Sequence, residues 1–168
     1  MRRGDRDTAF TAYVAARQGA MRRLAFALCG DWHRADDMLQ TAFTKLYLAW
    51  PRLQHEGVED AYLRRTLVRV SIDESRRAWR RRERSGLDGY DRAAVPATEL
   101  EESDAILTAL AQLPTMQRKV VVLRFWMDLS VDETAHDLGV APGTVKSHTS
   151  RAMVRLRELL AEPVSEVR

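Results

Sequence analysis

Small polar and basic side chains are concentrated between positions 142 and 151 of the chain. Lys146 and Arg151 carry positive charge there, and Ser147 and Ser150 can donate and accept hydrogen bonds. The major groove of DNA admits a helix whose entry side chains are small, rich in donors and not acidic, because such groups can reach the base edges. The segment therefore predicts duplex DNA binding. The candidate residues are Pro142, Gly143, Thr144, Lys146, Ser147, His148, Ser150 and Arg151.

The residues around this segment predict a helix-turn-helix. Ser130 and Glu133 have the spacing of a capping box, which begins a helix, and Gly139 supplies a left-handed residue to end it. Pro142 suits the first position of a second helix, where its missing N–H costs nothing. Two short helices joined by a tight turn are typical of DNA-binding motifs, although an ordinary helical hairpin has the same outline. The apolar face of the second helix comprises Val145, Ala152, Leu156 and Leu159.

An arginine-rich segment is the second candidate for nucleic-acid binding. Between positions 64 and 84 there are nine arginines against three acidic residues, an excess that favours a polyanionic partner. Tyr62 and Trp79 flank the basic side, and aromatic rings beside arginines can stack on unpaired bases. The alternative is a solvated face with aromatic residues in the core. At 3.6 residues per turn, one side of the helix carries Arg65, Arg69, Arg76 and Arg80.

An acidic patch lies early in the helix that precedes this basic one. Asp36 and Asp37 are adjacent, and Gln40 follows one turn later. Acidic residues near a helix start interact favourably with the helix dipole, so a merely solvated face explains them. The alternative is a polar docking surface for a large partner.

Apolar residues recur at helical spacing over most of the chain, and no segment requires a strand. We expect a first helix over Thr8–Leu28, a second from the Asp31 cap to Pro51, and a third from about Glu59 into the arginines. A fourth should open at a second capping box, Thr98 with Glu101. A further helix is expected over residues 116–127.

The residues between 85 and 98 include two glycines and a proline and show no periodicity, which predicts a linker. The predicted fold is therefore all-α, with two small helical domains joined by a flexible linker. The boundaries are 6–84 for the first domain, 85–98 for the linker and 99–162 for the second domain.

Composition narrows the class of protein. The chain is 45% hydrophobic and 30% charged, which suits a soluble globular protein. Cys29 is the only cysteine, which excludes an internal disulfide and any multi-cysteine zinc site, and its apolar neighbours predict a buried structural thiol. No apolar stretch approaches the length of a membrane span, and no signal-peptide pattern is present, so we expect a cytoplasmic protein.

A metal or enzyme site is the alternative from a different class of function. It would use Cys29 with His33, or His33 with Asp36 and Asp37. Gly30 interrupts the helical spacing of the first pair, and no further set of ligands follows in the sequence. We therefore expect no metal, no cofactor and no catalytic residues.

Taken in order, these segments resemble an extracytoplasmic-function (group IV) sigma factor of the sigma-70 family, most of all the SigE-type members of actinomycetes. Residues 31–40 resemble the sigma-two helix that docks on the clamp helices of RNA polymerase. Residues 62–77 resemble the segment that melts and reads the minus-ten element. Residues 113–152 resemble the sigma-four domain and its minus-thirty-five reader. The resemblance extends over about residues 8–160.

The resemblance implies a protein that binds core RNA polymerase and directs promoter-specific transcription initiation by reading minus-thirty-five duplex and melted minus-ten DNA. It also suggests an anti-sigma factor as a partner. The loop over residues 51–58 and the start of the third helix become the candidate pocket for an extruded base. The resemblance assigns polymerase docking to Asp36, Asp37, Gln40 and Phe43, and minus-ten DNA to Tyr62, Arg65, Arg69, Asp73, Arg76, Arg77 and Arg80.

Two positions depart from the family pattern. His148 stands where many relatives have arginine, and Arg69 where many have asparagine. The promoter sequence of a better-known member therefore cannot be transferred to this chain. A stand-alone helix-turn-helix regulator is the alternative function, but it leaves the acidic second helix and the basic third helix unexplained.

Overall fold

The computed structural model of the chain describes residues 2–53, 57–85 and 104–161; for Trp79 and residues 82–85 it describes the backbone only. Every regular element within these ranges is helical, which confirms the all-α prediction. The chain divides into two compact units. The first comprises Met1–Phe26 and Trp32–Leu87, and the second comprises Ala27–Asp31 and Asp88–Arg168. The predicted linker lies outside the described residues except for Ser85. The predicted capping box of Thr98 and Glu101 lies wholly outside them.

Three long helices dominate the first half of the chain. They are α1 (Arg3–Cys29), α2 (Trp32–Ala49) and α3 (Val58–Ser85), with a 3-10 turn, Trp50–Arg52, after α2. Helix α1 begins earlier than the predicted Thr8, and Asp5 in its first turn interacts favourably with the helix dipole. Gly30 ends α1 as predicted, since its φ of 74° is left-handed.

The core of the first unit is formed by the apolar stripes of its helices. The predicted seam of α3, Leu63, Leu67 and Val70, is buried. It packs against α2, whose buried residues share one face of that helix. Burying side chains of this size stabilises a fold by about 1.5–3 kcal/mol each. The buried residues of α2 are Ala35, Met38, Leu39, Ala42 and Leu46.

Among the described residues 104–161, four helices and one irregular turn form the second half. They are α4 (Ala105–Ala111), α5 (Thr115–Val121), α6 (Val131–Leu138) and α7 (Pro142–Ala161). The helix predicted over residues 116–127 is present from Thr115 to Trp126, but its second part, Val122–Trp126, is π-helical rather than α-helical. The Met127 amide donates to the Val122 carbonyl and the Leu129 amide donates to the Leu123 carbonyl, both at 3.0 Å. These hydrogen bonds span more residues than α-helical bonds do, and they replace them here.

The predicted caps of the helix-turn-helix are confirmed. The Ser130 amide donates to Glu133 Oε2 at 2.7 Å, and the Glu133 amide donates to Ser130 Oγ at 3.0 Å. Gly139 has a φ of 68°, and the Val140 amide donates to the Ala135 carbonyl at 3.0 Å, which closes a Schellman motif. These local bonds end α6 and set the direction in which the chain enters α7.

Candidate nucleic-acid interface

Helix α7 presents the predicted DNA-reading residues on its outer side. Val145 and Ala152 on the inner side are 0% exposed. Thr144 and His148, at the margin, are half-buried. The structure therefore brings the small polar and basic residues together on one accessible surface. The exposed members are Pro142, Gly143, Lys146, Ser147, Ser150 and Arg151.

The inner side of α7 is fixed by a small apolar cluster. Val145 packs in one core with Val120 of α5 and Ala135 of α6. Met116, Val131, Leu138 and Val140 surround that core. Because these contacts come from both preceding helices, rotation of α7 about its axis would expose Val145 and bury polar groups. The orientation of the outer side is thus set by packing.

Two details of α7 bear on what its outer side can contact. A Cβ at Gly143 would meet nothing within 4 Å, so packing within the chain does not require glycine at this position. His148 buries its Nδ1 atom without a hydrogen-bond partner in the described part of the chain. The imidazole is therefore less available than the freely exposed Lys146 and Arg151 nearby.

Helix α3 carries the arginines predicted to bind minus-ten DNA on its exposed surface. Leu63 and Leu67 are fully buried, and Tyr62 is half-buried at the start of the basic face. At about 100° per residue, the minus-ten candidates fall within about one third of the circumference. The side chain of Trp79 is outside the described part, so its stacking role stays a prediction. The exposed candidates are Arg65, Arg69, Asp73, Arg76, Arg77 and Arg80.

The N-terminal turn of α3 is fastened to α1. The Tyr13 hydroxyl donates to Asp60 Oδ1 at 2.6 Å, and Arg17 Nη2 lies 3.1 Å from Asp60 Oδ2. Burial, followed by this hydrogen bond, raises the pKa of Tyr13 well above its ordinary value, so the phenol remains a donor. From the sequence, Tyr13 could be placed only within the predicted first helix, Thr8–Leu28. No local signal could have revealed a pair 47 positions apart.

The four docking candidates of α2 have two kinds of environment. Asp37 and Gln40 are exposed. Asp36 accepts two hydrogen bonds from Arg22 of α1, from Nε at 2.6 Å and from Nη2 at 3.1 Å. Phe43 meets Phe10 of α1 edge-on, with ring centroids 6.5 Å apart. Two of the candidates therefore face solvent and two engage α1.

The Arg22–Asp36 pair belongs to a small stack that the sequence analysis missed. The Arg22 guanidinium lies 4.3 Å from the centroid of the Trp32 ring, and Trp32 stacks on Phe26 at 4.1 Å. The hydrogen bonds from Arg22 lower the pKa of Asp36 below its ordinary value. The carboxylate is thus charged and already oriented by its own chain.

The residues of the metal or enzyme alternative do not form a cluster. Cys29 is buried and donates its thiol hydrogen to the Asp31 carbonyl at 3.2 Å, whereas His33 is exposed. Among the described residues, no group of three or more His, Cys, Asp and Glu side chains could hold a metal ion. Within the same residues, no helix combines the length and the apolar character needed to cross a membrane.

Comparison with known protein families matches both halves of the chain. The model described as Sigma-70 region 2 matches residues 6–81, which include α2 and the basic face of α3. The model described as Sigma-70, region 4 matches residues 103–156, which include the helix-turn-helix. The first match contains the acidic and basic segments, and the second match, which follows it along the chain, contains the duplex-reading segment.

Individual relatives agree with the family models. The RNA polymerase sigma-E factor of Streptomyces coelicolor is 37% identical over 155 residues, which cover 90% of this chain and 85% of that protein. The ECF RNA polymerase sigma factor SigM of Mycobacterium tuberculosis is 32% identical, with 94% and 79% coverage. A co-crystal structure of the sigma factor RpoE with the anti-sigma factor NepR from Bartonella quintana matches with a TM-score of 0.61, 27% identity, and 90% and 96% coverage. The chain therefore belongs to the sigma-70 family, and within it to the extracytoplasmic-function sigma factors.

Proposed function

We propose that the protein binds core RNA polymerase and directs promoter-specific initiation, with α7 reading the minus-thirty-five duplex and α3 holding the melted minus-ten DNA. The observation that carries this proposal is the two-sided character of α7. Its outer side is exposed and carries Lys146, Ser147 and Arg151, whereas Val145 and Ala152 are completely buried beneath. An ordinary helical hairpin has no need of a surface that combines small residues with donors.

At the minus-thirty-five element, α7 would act by direct contact with base edges and phosphates. Each good bidentate contact between a basic side chain and a base is worth about 1–3 kcal/mol of discrimination. Gly143 fits this function because open space around it lets a phosphate backbone approach closely. Lys146, Ser147, Ser150 and Arg151 supply the donors, all of them exposed.

At the minus-ten element, the basic face of α3 would hold DNA strands after they separate. Each phosphate that an arginine neutralises adds about 0.7–0.9 to the slope of log affinity against log salt concentration. Tyr62 stands half-buried at the edge of this face, where an aromatic ring can stack on an unpaired base. The loop over residues 51–58 remains our candidate for the pocket of an extruded base, and residues 54–56 of it lie outside the described part.

The two small domains would each contact one promoter element. We propose the boundaries 6–84, 85–98 and 99–162 for the first domain, the linker and the second domain. Each small DNA contact alone should be weak, and core polymerase would hold both at the correct separation, so that two weak contacts act as one selective one. Since promoter DNA and polymerase are cytoplasmic in bacteria, the protein should work in the cytoplasm, without catalytic residues of its own.

The test is transcription in vitro with core polymerase and genomic fragments. The double variant Lys146→Ala, Arg151→Ala should lose transcription from the protein's own promoter while it retains core binding. The matched control is Arg2→Ala with Arg3→Ala, which removes the same charge from two exposed residues of the N-terminus. Equal loss of core binding and transcription would contradict the roles of α7. Failure to copurify with core polymerase would instead favour a stand-alone regulator.

A further inference from the structure

Tyr13 of α1 contacts the residues on both sides of the loop over residues 51–58. Its ring lies against the ring of Trp50, just before the loop, with centroids 5.2 Å apart and planes inclined by 58°. Its hydroxyl donates to Oδ1 of Asp60, just after the loop, at 2.6 Å. One side chain from a separate helix therefore joins the chain that enters the loop to the chain that leaves it.

The entering end of the loop is held by aromatic contacts. Phe10, one turn before Tyr13 on the same side of α1, meets the Trp50 ring edge-on with centroids 5.3 Å apart. The Leu53 amide donates to the Trp50 carbonyl at 3.1 Å, which closes the 3-10 turn. The indole is thus fixed by two rings of α1, and the chain leaves α2 from a defined position.

The leaving end of the loop is held by polar contacts. Gly57 has a φ of 86°, and this left-handed residue turns the chain into α3. Both carboxylate oxygens of Asp60 are engaged, since Arg17 Nη2 lies 3.1 Å from Oδ2 while the Tyr13 hydroxyl occupies Oδ1. The Arg17 side chain is half exposed, so its ion pair is screened and contributes little by itself. The hydrogen bond from Tyr13 is therefore the main fastening of the first turn of α3.

This fastening bears on the basic face of α3 because a helix moves as one body. Tyr62 lies two residues after Asp60, about 3 Å further along the helix axis, and begins the face that carries the exposed arginines. A binding surface that is ordered only when its ligand arrives loses the cost of that ordering from its affinity. Fixing Asp60 in advance therefore favours the capture of an unpaired base by Tyr62.

We infer that Tyr13 is a positioning residue for capture of the unpaired minus-ten strand. By joining Trp50 to Asp60, it holds the first turn of α3 where Tyr62 can receive a base, without contacting DNA itself. The inference rests on the proposed function and adds α1 to the elements on which minus-ten recognition depends. The competing explanation is that Tyr13 only stabilises the first unit.

Tyr47 of α2 offers a matched control for that explanation. Its hydroxyl donates to Asp7 Oδ1 at 2.7 Å and accepts from Arg6 Nη2 at 2.8 Å, and its ring meets Phe10 with centroids 5.0 Å apart. Tyr47→Phe therefore removes a hydroxyl that joins α1 to another helix, as Tyr13→Phe does, but leaves Asp60 held. The two variants should lose similar amounts of stability in urea and differ only in what happens at α3.

The experiment measures binding of a fluorescent single strand by the complex of the full chain with core polymerase. The strand carries the non-template minus-ten sequence of the promoter mapped in the transcription assay. Tyr13→Phe should weaken strand binding by about five- to tenfold, because the strand must then order the first turn of α3 itself. Tyr47→Phe should stay within about twofold of the parent. Both variants should bind core polymerase and the minus-thirty-five duplex like the parent, since their surfaces on α2 and α7 are unchanged.

A second route to the same contact is Asp60→Ala. It should reproduce the loss of strand binding, and the double variant with Tyr13→Phe should bind no more weakly than Asp60→Ala alone, because both changes break one interaction. Additive losses would overturn the inference. Parent-like strand binding in Tyr13→Phe, or equal losses in the Tyr13 and Tyr47 variants, would overturn it as well.

These outcomes are distinct from failure of the proposed function. A parent chain that does not bind core polymerase, or whose complex does not bind the minus-ten strand, would overturn the proposed function and this inference with it. When the parent complex binds both, the Tyr13, Tyr47 and Asp60 variants decide the inference alone.

Discussion

Replacing Thr134 with valine should stabilise the helix-turn-helix. Thr134 lies in α6 with 0% exposure, and its Oγ1 atom is buried with no hydrogen-bond partner among the described residues. Burying a hydroxyl unpaired costs about 1–3 kcal/mol. Valine has nearly the same shape, the same branching at Cβ and a similar helix propensity, so it removes this cost without opening a cavity. We expect a gain of about 1 kcal/mol in the free energy of unfolding.

The assay is reversible denaturation of the full chain in urea, followed by far-ultraviolet circular dichroism, with a thermal scan beside it. A gain of about 1 kcal/mol corresponds to a rise of about 4–8 °C in the midpoint of a unit of 60–100 residues. Thr134→Ser is the matched control. It keeps the hydroxyl and removes the methyl, so it should destabilise the protein. Promoter binding should be unchanged in Thr134→Val, since the residue is completely buried and is not part of the exposed side of α7.

A loss of stability in Thr134→Val would refute the reasoning. It would mean that the hydroxyl is bonded after all, for example to the Ser130 carbonyl one turn earlier, which threonine often reaches in helices. An unchanged midpoint would contradict the magnitude, because it would show that the buried hydroxyl carries no penalty.

Two further predictions concern the contacts that hold α1 against its neighbours. Tyr13→Phe removes the donor to Asp60 and should lower the free energy of unfolding by about 1.5 kcal/mol, the lower end of the range for a hydrogen bond to a charged group. Urea denaturation measures this, and an unchanged midpoint would show that the bond adds nothing. Asp36→Asn should cost at most about 1 kcal/mol at pH 7 because the pair with Arg22 is half exposed and screened. Folding lowers the pKa of Asp36, so the stabilisation from its carboxylate is present above the ordinary carboxyl pKa and is lost as the pH falls through the pKa of the folded state. The stabilities of the parent and the variant should therefore converge in acid. A difference in stability that persists in acid would contradict this prediction.

The helix-turn-helix was the part of the fold most accurately predicted from sequence. Ser130, Glu133, Gly139 and Pro142 act over three or four positions, so their caps and turn form from local chemistry alone. The outer side of α7 followed from the same periodicity. The π-helical turn over Val122–Trp126 was not predicted, because nothing in that apolar run distinguishes its wider hydrogen-bonded loops from those of an ordinary helix.

The candidate site shows where sequence reasoning reached its limit. Asp36 and Asp37 are adjacent in the chain and were predicted to act together. In the structure, Asp36 is paired with Arg22 and Asp37 is exposed, because 100° of rotation places one carboxylate beside α1 and the other away from it.

The sequence by itself determined the helices, their caps and the chemical types available for DNA and polymerase contacts, since these depend on neighbouring residues and on helical periodicity. Only the tertiary structure decided which of those side chains bind to other parts of the protein and which remain exposed. Pairs such as Tyr13 with Asp60 and Arg22 with Asp36 form because packing brings separate helices together, and packing is a property of the whole unit rather than of any segment.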